Sequence, residues 1–315
     1  MSTGQRIYVA GHRGLVGSAL VRALHSRGQV DLLLRTRDEL DLRDPGATDR
    51  FFEEHRPERV YLAAAHVGGI LANKTYPADF IHDNLAIQLS VIAAAHRHGV
   101  EKLLFLGSSC IYPREAPQPI NESALLAGPF APTISAYAVA KVAVIEMCQS
   151  YRRQYGSKFI SVMPTNLYGP GDDFDLETSH VLPALIRKIH EAKEGGADEV
   201  EIWGSGTPRR EFLHVDDLAD ACVFLMDSYD DEGIVNIGTG RDISIAELAR
   251  LIADVIGYRG AFSFDRTKPD GVPRKLLDVT KLEGLGWEAR IGLRDGIRET
   301  YEWYKDHSSS GAPVA

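Results

Sequence analysis

Apolar positions along the chain follow two alternating patterns: short unbroken runs, and longer stretches in which they recur every third or fourth residue. Residues 6–10, Arg-Ile-Tyr-Val-Ala, form the first run and read as a short buried strand. Leu15, Val16, Ala19, Leu20, Ala23 and Leu24 follow at helical spacing, and Gly28 is placed to end that helix. Runs at 30–34, 59–63, 102–106 and 159–163 predict four further strands, and helical patterns cover 80–98 and 137–155. Strands alternating with helices of this length are βαβ units, which build a parallel sheet covered on both faces.

Beyond Pro164 the regularity weakens. Gly169-Pro170-Gly171 and Gly195-Gly196 punctuate the chain, and helical spacing returns at 215–227, 244–256 and 292–303. This half reads as a smaller lobe beside the sheet, with the chain crossing back once or twice. The expected division is residues 1–165 for the large layer, with return segments near 212–240, and 166–315 for most of the smaller lobe. The small, polar tail at 308–315 is expected to fray.

Composition narrows the class. With 315 residues the chain has the length of about two domains. Its 44% hydrophobic, 25% charged and 8% aromatic content excludes a disordered or fibrous chain. The 35 Lys and Arg against 44 Asp and Glu give a formal charge of −9, which argues against nucleic acid or an anionic membrane as partner. A few arginines still suffice to make one site attractive to an anionic small molecule. No apolar run approaches the ~18 residues that span a bilayer. The N-terminal MSTGQRIYVAGHRG has too short an apolar core and too early a glycine turn for a signal peptide. Three cysteines (Cys110, Cys148, Cys222) without a CxxC pair speak against a disulfide framework and for a reduced, cytoplasmic chain. The 11 histidines show neither HExxH nor a paired Cys/His spacing, so no metal site is expected.

Gly11-His12-Arg13-Gly14-Leu15-Val16-Gly17 lies between the first strand and the first helix. Glycines there allow a tight turn, a close approach of backbone to pyrophosphate, and close helix–strand packing, while the helix N-terminus offers free N–H groups. The spacing is GxxGxxG rather than GxGxxG, so the strand-to-helix setting carries the reading of a nucleotide cradle in a doubly wound sheet of Rossmann type. An acid ~20 residues on would read a ribose 2′-hydroxyl. Here the second strand ends instead in Arg35-Thr36-Arg37, suited to a 2′-phosphate; the plainer alternative is two solvated surface arginines.

Tyr137 and Lys141 stand at i and i+4, on one helical face. A cation nearby lowers a phenol's pKa, so the pair suits proton exchange with a carbonyl or alcohol. Ser108, just past the fourth strand, is placed to hydrogen-bond the same substrate oxygen, or serves only as a turn residue. The coincidence of glycine turn, serine loop and YxxxK favours catalysis over each bland reading.

Together these elements resemble the extended short-chain dehydrogenase/reductase family of nucleotide-sugar enzymes. The stretches AGHRGLVGSA, LRTRDELDL, YLAAAHVGGI, TYPADF, LGSSCIYP, PTNLYGP, WGSGTPRREFLHVDD and KPDGVPRKLLDV resemble its branch acting on GDP-4-keto-6-deoxy-D-mannose by 3,5-epimerisation and NADPH-dependent 4-reduction. The resemblance implies NADP(H) as cofactor, with Tyr137 protonating oxygen 4, Lys141 holding the nicotinamide ribose and Ser108 orienting the ketone. It implies Cys110 and His180 as the base and acid of epimerisation, whereas by themselves they read as a small buried hydrophobe and a helix-start residue. It further implies that Leu106, Gly107, Pro164, Thr165, Asn166, Leu167 and His180 contact the cofactor. Lys188, Trp203, Arg210 and Lys275 match the substrate positions, with Arg187 a rival to Lys188 and core packing the alternative for Trp203. A homodimer built on the helices at 80–98 and 137–155 is implied as well. Two other readings stand: an epimerase or dehydratase that retains its NAD, and a non-catalytic NADP(H)-binding sensor.

Overall fold

The computed structural model describes residues 4–176, 178–268 and 270–308. The first strand, β1 (Ile7–Ala10), is buried along its length and runs through a glycine turn into α1 (Leu15–Ser26). There follow β2 (Leu32–Leu33), α2 (Pro45–His55), β3 (Arg59–Leu62), α3 (Ile70–Thr75), α4 (Pro77–Arg97), β4 (Lys102–Leu106), α5 (Ser135–Tyr155) and β5 (Lys158–Pro164). The second half holds β6 (Asn166–Tyr168), α6 (Val181–Glu194), β7 (Glu199–Trp203), β8 (Arg209–His214), α7 (Val215–Ser228), β9 (Val235–Ile237) and β10 (Asp242–Ser244). It ends with α8 (Ile245–Ile256), β11 (Ala261–Asp265), β12 (Arg274–Lys275), α9 (Thr280–Gly284) and α10 (Leu293–Ser308).

Six strands make the main sheet in the order β2-β1-β3-β4-β5-β9, every neighbouring pair parallel. Alternation along the strands feeds two cores. Tyr8, Val60, Leu62, Leu103 and Phe105 point to one face, where Phe52 of α2, Ile92 of α4 and Val144 of α5 cover them. Ile7, Val9, Leu104, Ile160 and Val162 point to the other, beneath Leu20 of α1 and Leu218 of α7. Each fully buried large apolar side chain contributes about 1.5–3 kcal/mol, so both faces are needed to hold the layer. This is a doubly wound Rossmann-type sheet. Its winding reverses at β1, with β2 on one side and β3 on the other, and open sheets of this kind bind ligands at the strand ends beside such a reversal.

A third core, including Leu182, Ile186, Ile189, Leu248, Ile252 and Ile297, joins α6, α8 and α10. Between it and the main sheet lies a small sheet in which β8 pairs with β6, β10 and β12. α7 and β9 belong to the main layer, so the chain leaves and rejoins it.

Several elements depart from the expected pattern. The run at 30–34 pairs only at Leu32 and Leu33, because β2 is an edge strand; Val30 is 81% exposed. The two long helices begin earlier than expected, α4 at Pro77, where a missing N–H costs nothing, and α5 at Ser135. α2 had no counterpart in the periodicity reading, although Asp44 caps it by accepting from Gly46 and Ala47 N–H at 2.8 and 3.0 Å and Pro45 occupies its first turn. The later strands of two to six residues are too short for periodicity to reveal. The end of the polar tail, 309–315, lies outside the described residues.

Candidate active site

The turn after β1 is shaped for close approach. Gly11 has φ of +82°, and a Cβ there would lie 2.8 Å from the Ala64 backbone beyond β3. A Cβ on Gly17 would fall 2.0 Å from the Gly11 carbonyl oxygen, so α1 can pack this tightly only without a side chain. Gly14 forms the N-cap of α1 with no side-chain cap and no acid in the first turn, which leaves the helix's first N–H groups for an anion. His12 adds a buried Nδ1 without a protein partner. Arg35 is fixed 5.5 Å over the Phe51 ring and donates to the Leu34 carbonyl at 2.8 Å. Glu39, held by the Thr36 N–H and hydroxyl at 2.8 and 2.9 Å, feels the charges of both Arg35 and Arg13. Arg37 is exposed and acts on Asp41, whose carboxyl is drawn down to about 2 chiefly by its hydrogen bond to Arg43. The free helix N-terminus, the side-chain-free glycines and the arginines on the rim fit a dinucleotide carrying an extra phosphate.

Lys141 is 2% exposed and donates to the Leu106 carbonyl at 2.8 Å, with its Nζ 5.6 Å from the Tyr137 ring centre. Burial pulls its pKa from 10.5 to about 7. Tyr137 departs from the sequence expectation. Its phenol is pushed up, first by burial and then by Cys110, while a hydrogen bond from Ser108 opposes the rise. The reason is geometric: the Lys141 ammonium meets the ring face and the Leu106 carbonyl rather than the phenolic oxygen, which leaves desolvation to prevail.

Cys110 lies in the short turn after β4, its N–H donating to the Ser108 hydroxyl at 3.2 Å. Lys275 reaches it from β12, its Nζ donating to Sγ at 3.5 Å. Burial pushes the thiol up, but Lys275, the Ser108 hydroxyl and Arg210 together bring it below its ordinary value. In contrast, burial drives Cys148 up to about 12 and Cys222 higher still. The register Lys275↔Arg210 between β12 and β8 sets both cations on one face of the small sheet, toward the thiol. His180 forms the N-cap of α6 and keeps solvent contact; crowding and Lys275 lower its pKa while Asp173 resists. Lys275 thus acts on both Cys110 and His180.

Trp203 is 54% exposed, so the core-packing alternative fails. Lys188 and Lys268 stand 5.0 and 5.2 Å from its ring centre, which makes a cation-flanked aromatic platform. Arg187, one residue before Lys188, is engaged elsewhere, donating to Glu191 at 2.7 Å and to the Phe174 carbonyl at 3.2 Å. Past β5, the Thr165 hydroxyl and the Asn166 amide both donate to the Glu211 carbonyl, at 3.3 and 2.8 Å. Pro164, the last residue of β5, and Leu167, the middle residue of β6, flank them.

The NAD dependent epimerase/dehydratase family pattern matches residues 7–238. The chain belongs to this family. It is 60% identical to GDP-L-fucose synthase 1 of Arabidopsis thaliana over 299 residues, 95% of this chain and 93% of the relative. It is 55% identical to GDP-L-fucose synthase of Escherichia coli (strain K12), across 96% of this chain and 97% of that one. Among solved structures, a GDP-mannoheptose C4 reductase from Campylobacter jejuni with NADP bound superposes with a TM-score of 0.89 at 41% identity, covering 97% of this chain and 99% of the other.

Two residues of this epimerase/dehydratase family member escaped the sequence reading. Lys268 opens the KPDG stretch, and nothing local says that it meets Trp203. Glu211 sits in REFLHV, where a lone acid ahead of an apolar run was the only signal; its side chain is wholly buried. Among the described residues no group of three or more His, Cys, Asp or Glu is placed to hold a metal ion. No described helix is long and apolar enough to cross a membrane.

Proposed function

We propose that this chain converts GDP-4-keto-6-deoxy-D-mannose to GDP-L-fucose by 3,5-epimerisation followed by 4-reduction. The observation that carries the reading is a thiol poised as a base beside a serine–tyrosine pair that can hold one carbonyl oxygen. When bound, NADPH supplies the hydride that C4 receives. The chain's own groups handle the protons. Cys110 removes the hydrogen beside the ketone, the electron pair moves onto oxygen 4, and Ser108 and Tyr137 hold the charge there. His180 returns a proton from the opposite face, which inverts the centre; the same steps serve C3 and C5. In the reduction, Tyr137 gives its proton to oxygen 4, and the Lys141 side chain beside its ring steadies the phenolate left behind.

The glycine turn and α1 take the pyrophosphate of NADPH, and Arg35 and Arg37 its 2′-phosphate. Leu106, Gly107, Lys141, His180 and the 164–167 segment line the nicotinamide end. Trp203, Arg210 and Lys275 take the substrate, with Lys188 rather than the tethered Arg187 meeting its phosphates. The large layer, 1–165 with its return, then serves as the cofactor domain and 166–315 mainly as the substrate lobe. The reduced thiols and NADPH chemistry suit a cytoplasmic enzyme. A homodimer through α4 and α5 accounts for Leu89 and Val139, 47% and 41% exposed on these helices. Light scattering tests this: Leu89→Asp with Val139→Asp turns a dimer of the parent into a monomer. The activity is tested by incubating the protein with the keto sugar nucleotide and NADPH. NADPH consumption with GDP-L-fucose as product supports the reading, and a reduced but unepimerised product overturns its epimerase half.

A further inference from the structure

Glu211 joins more segments than any residue assigned above to chemistry. Its Oε1 accepts from the N–H groups of Thr239 and Gly240 at 2.6 and 2.8 Å, and its Oε2 accepts from the N–H of Leu277 at 2.9 Å. Its carbonyl takes the two bonds from Thr165 and Asn166. The carboxylate fits only because residue 238 is glycine; a Cβ there would lie 2.3 Å from Oε1. Leu277 lies two residues past Lys275, the last residue of β12. The bond to Oε2 therefore anchors the short strand that carries the Lys275 ammonium to the Cys110 thiol.

We infer that Glu211 is a positioning residue for proton abstraction: through the Leu277 N–H it holds Lys275 against Cys110 and so keeps the thiol ionisable. The inference rests on the reading of Cys110 as the base. A buried acid that merely filled space would serve as well without the two-sided division of its oxygens. Here one oxygen fixes the 239–240 loop and the other fixes the strand of Lys275. The groups that bear on the thiol are Lys275, Arg210, the Ser108 hydroxyl and Tyr137, and among them only Lys275 lies on the tethered segment.

The division makes Glu211→Gln a selective change. The glutamine carbonyl keeps the Thr239 and Gly240 donors, while its NH2 confronts the Leu277 N–H and releases that side alone. The test needs no substrate, so its outcome is separate from that of the functional reading. Iodoacetamide labelling of Cys110, followed by mass spectrometry against pH, reads the thiolate directly, because Cys148 and Cys222 are buried and held protonated. Glu211→Gln moves the labelling midpoint up by about one pH unit, an approximately tenfold loss of thiolate below the midpoint. Lys275→Met gives a similar shift, and the double variant moves little further. Melting of each variant is followed in parallel. Should Glu211→Gln fail to fold, Glu211→Asp, which keeps the charge but draws both oxygens back by one methylene, carries the same expectation. A folded Glu211 variant with the parent midpoint overturns the inference, as does full additivity with Lys275→Met.

Discussion

Cys110 and Lys275 stand 165 residues apart in the chain and 3.5 Å apart in the fold. No spacing rule links them, so the sequence alone left Cys110 open between base and small hydrophobe. Tyr137 and Lys141 were legible because both sit on one helix, yet their electrostatics were not, since burial is set by distant segments. That burial has a measurable consequence. The folded chain holds the Lys141 proton only to about pH 7, and the unfolded chain to about 10.5. Between these values the unfolded state binds more proton, so native stability gains as pH rises, and below about 7 the contribution is flat. Lys141→Met lacks the proton. Denaturant midpoints across this range should show wild-type stability climbing relative to the variant, and a constant difference contradicts the assignment. Arg37 offers a second check on cofactor choice. Arg37→Ala should narrow the preference for NADPH over NADH, as read by kcat/KM, by about ten- to a hundredfold, the worth of one charged hydrogen bond. Equal use of both cofactors by the parent would refute the 2′-phosphate role.

At the scale of elements, the strand-to-helix turn, the fourth strand and the two long helices were plain in the sequence, because unbroken runs of four apolar residues bounded by turn signals and long 3.6-residue periods leave a strong mark. The small sheet was not. β10, β12 and β6 are three residues or shorter, and what holds them is pairing with the distant strand β8 rather than any local propensity. That sheet matters because its register brings Arg210 and Lys275 side by side, while β7 ends at Trp203. The exposure of Trp203 predicts a clean separation of binding from stability. Trp203→Ala should raise KM for the sugar nucleotide about ten- to a hundredfold, since stacking of a base on an aromatic ring is worth about 1–3 kcal/mol. It should leave KM for NADPH and the melting temperature close to those of the parent. A large loss of melting temperature would mean that the indole packs rather than binds.

For the whole molecule, the sheet layer presents Ser108, Cys110, Tyr137 and Lys141, and the segments that follow bring His180, Arg210 and Lys275 to the same place. Fold class was readable from alternation of strand and helix; the meeting of the two halves was not, because it depends on a chain that leaves the main layer after β5 and returns through α7 and β9. On the proposed roles, epimerisation and reduction are separable, since they share oxygen 4 but use different proton carriers. The most direct measurement is reaction of GDP-4-keto-6-deoxy-D-mannose and NADPH in deuterated water with the parent and with Cys110→Ser. A hydroxyl ionises far less readily than a thiol, whose ordinary pKa is ~8.5, so this change removes the proposed base and little else. The account predicts GDP-L-fucose deuterated at C3 and C5 from the parent, and from the variant a slowly formed, unepimerised 4-reduced sugar nucleotide without deuterium. Deuterated GDP-L-fucose formed by Cys110→Ser at the parent rate would contradict it.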